Sequence, residues 1–189
     1  MSEHRYFLDT NIFSRLTVKD VPAMAADCKV LLSAIGTGQA NACTSSLVLA
    51  EVSWLLQSFY KLSKADVLEV LQGIVGIQNL YITDQTNAVV ALTYYERYKI
   101  KFVDCLIASH PDIQSGKLVV VSYDKDFDKL GVTRFEPRDV LKIDPLEKTS
   151  FRNFSVFLLL DPSVNARFSE APHPTYFKGW YFFTDGQIG

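Results

Sequence analysis

Three acidic residues of this chain each stand alone inside an apolar run, so any fold it adopts must supply them with partners. Asp9 closes Tyr6-Phe7-Leu8 and precedes Thr10 and Asn11. Glu51 is the one charge in residues 46–56, and Asp104 is the one charge in residues 102–108. A further group, Asp124, Asp126 and Asp128, follows the strand-like Leu118-Val119-Val120-Val121. Burying a lone ionised carboxylate costs on the order of several kcal/mol, so such groups are paired, protonated or bound to a metal. No Lys or Arg sits within the three runs. The pattern points to a site that gathers acids around a cation.

Strand and helix signals alternate along the first three quarters of the chain. Residues 4–8 read as a short buried strand, and Asp9-Thr10-Asn11 offers a cap to a brief helix over 12–17. Apolar spacing predicts a helix over 21–36 that ends at Gly36 and Gly38, then a strand over 40–43. Thr44-Ser45-Ser46 caps an apolar helix over 47–60, and Ser63 with Asp66 forms a capping pattern for a helix over 64–74. A strand over 79–82 leads to a helix capped by Asp84 and running to Tyr98, then a helix over 102–114. A strand over 117–121, a short helix over 125–130 and a strand over 132–135 complete the series. This alternation predicts an α/β sandwich with a mainly parallel sheet. The ligand crevice of such a sheet lies beyond the carboxyl ends of its strands. Asp9 and the Asp124 group both fall there.

Composition narrows the function classes. The chain has 189 residues, 48% apolar and 21% charged, which suits one well-buried soluble domain with an appendage. A net charge of −2 lacks the broad basic footprint of a protein held mainly by phosphates. Nucleic acid stays open, because a bound cation brings its own positive charge. The three cysteines, Cys28, Cys43 and Cys105, form no CxxC pair, which leaves a zinc site or disulfide framework unsupported and favours free thiols in a reducing cytosol. The N-terminus lacks an apolar leader core and no run reaches membrane-spanning length. A cytoplasmic protein without a membrane span is expected.

The last 40 residues differ in kind. Ten of the 39 residues from Phe151 onward are aromatic, against fourteen in the first 150. Such a segment packs on the domain, forms an interface, or is a non-native extension of the reading frame. Simple solvated disorder fits it poorly. The division expected is a domain over 1–145 and an aromatic-rich C-terminal extension over 146–189.

Oxygen ligands without His or Cys suit hard cations such as Mg²⁺ or Mn²⁺. Two carboxylates about 4 Å apart repel by roughly 4 kcal/mol at an effective dielectric near 20, and a divalent ion between them reverses that sign. Such an ion polarises a phosphoryl oxygen and activates a bound water. Metal-assisted phosphodiester hydrolysis is therefore the leading enzyme reading of the residues.

Four segments carry a family resemblance. Phe7-Leu8-Asp9-Thr10-Asn11-Ile12, Ser45-Ser46-Leu47-Val48-Leu49-Ala50-Glu51-Val52, Phe102-Val103-Asp104-Cys105-Leu106-Ile107-Ala108 and Val121-Ser122-Tyr123-Asp124-Lys125-Asp126-Phe127 resemble the signature segments of PIN domains, in order and spacing, over roughly residues 4–140. The resemblance implies a three-layer sandwich, with a twisted sheet of about five strands between helices, and a Mg²⁺- or Mn²⁺-dependent ribonuclease. For a small stand-alone chain it implies a VapC-type toxin of a toxin–antitoxin pair, with RNA as substrate, a small antitoxin as partner and a homodimeric state. Carried over by position, Asp9 and Asp104 would be the principal metal ligands. Glu51 would bind metal or help deprotonate the attacking water. The fourth acid is Asp124 or Asp126, with Asp124 taken first because it follows the strand directly. Thr10, Asn11 and Ser122 would orient carboxylates or water. The aromatic tail departs from the family pattern.

Plainer readings stand beside these. Asp9 could be only a helix cap, Asp104 only a first-turn acid facing the helix dipole, and Glu51 part of a narrow solvated edge with Ser58. Asp128 reads best as a solvated turn residue, and His110 as a helix-end or surface residue. Lys101, Arg97 and Lys99 read as a solvated loop before an RNA contact, and Arg15 and Lys19 read the same way. Trp54 and the Tyr94, Tyr95 and Tyr98 group read as core or dimer packing. A haloacid-dehalogenase-like phosphatase would need a second aspartate two residues after Asp9, where this chain has Asn11. A PIN-like module that binds RNA or protein without cutting, and a housekeeping RNA-processing nuclease, remain the alternatives.

Overall fold

The apolar runs that hold the stranded acids become strands and the helices that follow them. The computed structural model describes residues 5–143, and the extension over 146–189 lies outside them. Five strands, β1 (Arg5–Leu8), β2 (Asn41–Thr44), β3 (Leu80–Ile82), β4 (Leu118–Val121) and β5 (Arg134–Phe135), form one sheet in the order β3-β2-β1-β4-β5. Every pairing is parallel, so the sheet is wholly rather than mainly parallel among the described residues. β4 is buried at all four positions, as a central strand covered on both faces should be.

Among the described residues nine helices lie between and after the strands: α1 (Thr10–Val18), α2 (Pro22–Gly36), α3 (Ser46–Trp54), α4 (Lys64–Val75), α5 (Ala88–Arg97), α6 (Phe102–Ala108), α7 (Pro111–Gln114), α8 (Asp126–Lys129) and α9 (Pro137–Ile143). α2 packs against α1 and α9, α1 against α3, and α3 against α4. α5 packs against α6, and α7 against β4. Tyr6, Phe7, Leu8, Ile12, Phe13, Leu16 and Phe127 are essentially fully buried in the core between these layers. Burying each such side chain contributes about 1.5–3 kcal/mol relative to leaving it in water.

Chain order runs outward from β1 through β2 to β3, then returns across β1 to β4 and β5. The reversal lies between β1 and β4, and right-handed crossovers then put the helices of the two halves on opposite faces. A crevice opens beyond the carboxyl ends of the strands at such a reversal. Asp9 follows β1 there, and Ser122 follows β4. The amide of Asp9 extends the ladder by donating to the Val121 carbonyl at 3.2 Å.

Several boundaries differ from the sequence reading, each for a physical reason. Asp84 does not cap the helix that ends near Tyr98; Asn87 does, accepting from the amides of Val89 and Val90 at 3.1 and 3.2 Å. Asp84 reaches instead to the start of α3, where it accepts from the Ser46 amide and hydroxyl at 2.8 and 2.7 Å. The helix expected over 102–114 breaks at Ser109-His110, because His110 precedes Pro111 and takes an extended conformation, φ −60° and ψ 129°. His110 is buried, and its Nδ1 accepts from the Asp112 amide at 3.1 Å to start α7. The apolar helix expected over 47–60 changes at Leu55–Phe59 into a π turn. Ser63 caps α4 as expected: its hydroxyl accepts from the Asp66 amide at 3.2 Å and donates to the Asp66 carboxylate at 2.6 Å. α9 was not expected; Pro137 at its first turn with Asp139 behind it was the available signal.

Trp54 and Tyr95 are half-exposed surface residues rather than core. Tyr94 and Tyr98 pack against the core, with ring centroids 6.3 Å apart. The three cysteines are free, and burial raises the thiols of Cys28, Cys43 and Cys105 to about 12, 11 and 11.

Candidate metal centre

Four segments deliver carboxylates to one cavity of about 310 Å³ at the carboxyl ends of the strands: Asp9, Glu51, Asp104 and Asp124 all line it. Asp9 arrives on the end of β1 and does cap α1, accepting from the Thr10 amide at 2.7 Å. The cap occupies only Oδ1. Its Oδ2 accepts from Asn11 Nδ2 at 2.6 Å and from the Ser122 hydroxyl at 2.7 Å, which ties β1 to the residue after β4. Glu51 sits one turn into α3, on the side facing the cavity, while Ala50, Trp54 and Ser58 face solvent. Its Oε2 accepts from the Thr10 hydroxyl at 2.5 Å.

Thr10, Asn11 and Ser122 therefore form a brace around the acids. Ser122, wholly buried, donates to Asp9 while accepting from Asn11 Nδ2 at 2.8 Å and from the Asp124 amide at 2.9 Å. Asn11 Oδ1 accepts from the Tyr123 amide at 3.1 Å. An aspartate at position 11 could not donate to Asp9, and this explains in physical terms why Asn11 stands where a phosphatase of the haloacid type would need an acid.

The electrostatics are those of like charges held together out of water. Burial, then the charge of Glu51, raises Asp9 from the ordinary carboxylate value to about 7. Asp104, only 3% exposed, is pushed well above that ordinary value by burial and then by the charge of Asp9. Its Oδ2 is buried and has no hydrogen-bond donor. Asp104, Asp124 and Asp126 each present an oxygen, and these three oxygens lie within 4.8 Å of one another.

A family model for the PIN domain matches residues 6–132, which span all four acid-bearing segments. The chain belongs to the PIN domain family. Comparison with curated proteins gave no match. PIN domains are generally metal-dependent nucleases, and the acidic cluster of this PIN domain fits a metal on its own chemistry. The lining acids offer only oxygen, no His or Cys lines the cavity, and Asp104 Oδ2 lacks any protein donor. That set suits a hard divalent cation.

Both candidates for the fourth acid are near. Asp124 lines the cavity, and Asp126 accepts from Lys129 at 2.5 Å while its amide donates to Asp124 Oδ1 at 2.9 Å. Asp128 is not a bare turn residue: it pairs with Arg134 Nε at 2.8 Å. Arg134, mostly buried, also donates to the Ser122 carbonyl at 2.7 Å and so holds the β4 end of the PIN site from behind. Lys101 belongs to the site rather than to a solvated loop, with Nζ 3.8 Å from Asp124 Oδ2. The sequence did not point to Arg134 or Tyr123, and Arg15 is not a solvated residue but pairs with Asp20 on the wall of the same cavity. Tyr123 meets Asn11 and Met24 from about a hundred residues away, while Arg134 and Arg15 pair with residues six and five positions off across the ends of short helices, where no helix periodicity applies.

Proposed function

We propose that this PIN domain is an endoribonuclease that hydrolyses RNA phosphodiester bonds with Mg²⁺ or Mn²⁺, and that it is the VapC-type toxin of a toxin–antitoxin pair. The observation that carries the enzymatic reading is the meeting of Asp9, Glu51, Asp104 and Asp124 in one cavity, with Asp104 Oδ2 left without a donor. In this reading Asp9 and Asp104 would hold the ion together with Asp124 or Asp126, and the ion would supply polarisation of a phosphoryl oxygen and a lower pKa for the attacking water. Glu51, held by the Thr10 hydroxyl, faces the cavity and takes a proton from the attacking water. Lys101 and Lys125 line the same cavity and place positive charge against the RNA backbone.

Cleavage of a panel of structured RNAs, with Mn²⁺, Mg²⁺ or chelator, tests this directly. The parent chain should cut only with metal, and Asp9→Asn and Asp104→Asn should not. Absence of metal-dependent cutting, or its survival in both variants, leaves the non-catalytic RNA- or protein-binding module as the better account.

The partners in this reading are a second copy of the chain and a small antitoxin. Val89, Leu92 and Tyr95 recur along one side of α5 and stay exposed, with Phe102 against Tyr95 at 5.4 Å between ring centroids. An apolar stripe of this kind suits a second copy. Sedimentation of Leu92→Asp against the parent chain tests it: a dimer should become a monomer, and a parent that is monomeric already rules it out. Co-expression with the product of the adjacent gene should abolish cutting if an antitoxin is encoded there; unchanged cutting favours a housekeeping nuclease.

A further inference from the structure

The start of α6 carries a residue that the helix itself does not require. Lys101 is its N-cap, a position where Ser, Thr, Asp or Asn would stabilise the first turn. Lys101 makes no side-chain cap, and a cation there meets the unfavourable end of the helix dipole. Its carbonyl opens the helix by accepting from the Cys105 amide at 3.2 Å. The side chain is placed on the wall of the acid cavity, which Asp104, three positions on, also lines. Helix stability does not account for this lysine; the acids do.

Among the described residues three cations line that cavity, Arg15, Lys101 and Lys125. Arg15 is paired with Asp20, and Lys125 is exposed. Lys101 Nζ lies 3.8 Å from Asp124 Oδ2, and both side chains are 26% exposed. That spacing is an ion pair longer than a hydrogen bond. Asp124 is held from its other side: Oδ1 accepts from the Asp126 amide at 2.9 Å, and its own amide donates to the Ser122 hydroxyl at 2.9 Å. The same carboxylate belongs to the group of Asp104, Asp124 and Asp126, whose oxygens lie within 4.8 Å of one another. Burial and then the charge of Asp9 push Asp104 up, and the charge of Lys101 pulls it back down. Asp124 is thus offered both to a cation of the chain and to a cation from outside.

We propose that Lys101 is the counter-ion of Asp124 in the metal-free protein, and that it passes to a phosphate oxygen of the RNA once that carboxylate is given to metal. The second half rests on the nuclease reading above. Two cations against one oxygen repel, so the ammonium cannot keep its place beside a divalent ion. Its flexible four-carbon stem lets it move without disturbing the backbone that starts α6. A phosphate entering the cavity brings the negative charge that Asp124 no longer offers. Lys101 then steadies the charge that builds on that phosphate as water attacks.

Lys101→Met keeps most of the stem and deletes the charge. In chelator it should melt a few degrees below the parent chain, because the acids lose a counter-charge. Mn²⁺ titrated calorimetrically into the full chain should bind about fivefold more tightly, the scale of one nearby unit charge acting through water. RNA cutting at saturating Mn²⁺ should nevertheless slow, on the order of a hundredfold. Lys101→Arg keeps the charge and should return the melt and the affinity to the parent values. A lysine that merely supports the fold would weaken metal binding and cutting together. Weaker or unchanged Mn²⁺ binding in Lys101→Met therefore overturns the counter-ion, and unchanged cutting overturns the transfer to phosphate. If the parent chain cuts no RNA, the nuclease reading fails, while the melt and the affinity, which need no RNA, still decide the counter-ion.

Discussion

The sheet carries a cavity toward each end, and the two treat charge in opposite ways. A space of about 260 Å³ begins at the amino ends of β1, β2 and β4, where Arg5, Asn41, His110 and Asp112 line it, and runs along β3 to Thr83 and Gln85. There Arg5 answers Asp112 at 2.7 Å. His110 is neutral by environment: its Nδ1 accepts a backbone amide, and burial lowers its proton affinity. At the carboxyl ends Asp9 and Asp104 are buried as deeply, yet they press on each other and on Glu51. Each cavity borders a buried atom with no partner, His110 Nε2 in one and Asp104 Oδ2 in the other. The first is a neutral donor, and a single water can satisfy such a group. The second belongs to a cluster whose charge the protein does not balance. The carboxyl end is therefore open to a cation from outside, and the amino end is closed within itself.

Asp104→Asn strikes that contrast hardest. Metal-dependent cutting should fall on the order of a hundredfold or more, the scale seen when one preorganised electrostatic group is removed. At the same time the metal-free protein should melt a few degrees higher, because about 1 kcal/mol of relieved repulsion moves a domain of this size by roughly 2–8 °C. Thermal melts in chelator check this. A variant that melts lower would mean that Asp104 serves the helix start rather than a metal.

Ser122→Ala comes next. It removes one donor from Asp9, takes the Ser122 acceptor from the Asp124 amide, and leaves Asn11 Nδ2 with Asp9 Oδ2 alone of its two acceptors. Groups that orient metal ligands are worth about 10- to 100-fold in affinity or activity. Mn²⁺ titration followed by calorimetry should show a loss in that range with the acids themselves intact. An unchanged affinity would make Ser122 a packing residue only.

These acids were legible because solvation physics alone flags them: a charge in an apolar run needs an explanation wherever the run goes. The strands were legible for the same reason, since Leu118–Val121 is too apolar for anything but a central position. What stayed hidden depends on packing between distant segments. Asp84 looks like the cap of the next helix and in fact serves α3, 38 residues upstream, a choice no local rule makes. The short helix and last strand were expected, over 125–130 and 132–135, and are found as α8 and β5, but no periodicity shows that Arg134 reaches back to Asp128 and the Ser122 carbonyl. The π turn at Leu55–Phe59 leaves the apolar run unchanged in composition, so its displaced register is invisible until Tyr60 is seen in the cavity.

The pH response should separate the ends by a smaller amount. Asp9 titrates near 7 when folded and near 3.8 when unfolded, and Asp104 is shifted in the same direction. Between these values the folded protein binds more protons than the unfolded chain, so stability without metal falls as pH rises from about 4 to about 7. A divalent ion needs the ionised carboxylates, so the gain in melting temperature on adding Mn²⁺ should be larger at pH 8 than at pH 5. Equal gains at both pH values would place the ion away from Asp9 and Asp104.

Arg5→Met should do least, and for that reason it tests the contrast from its quiet side. The Arg5–Asp112 pair is short, but its side chains are 57% and 33% exposed, and ion pairs so placed contribute about 0–1 kcal/mol. Methionine keeps most of the apolar stem of the side chain and deletes only the charge. The melting temperature should move by no more than a few degrees. RNA cutting and Mn²⁺ affinity should stay within about twofold, because β1 carries Arg5 at one end and Asp9 past the other, and Tyr6, Phe7 and Leu8 between them are held by the sheet on both sides. A tenfold loss of cutting would show that Arg5 contributes to the RNA surface. The amino-end cavity would then belong to the path of the substrate, and its closed charge would have to be understood as a contact waiting for RNA.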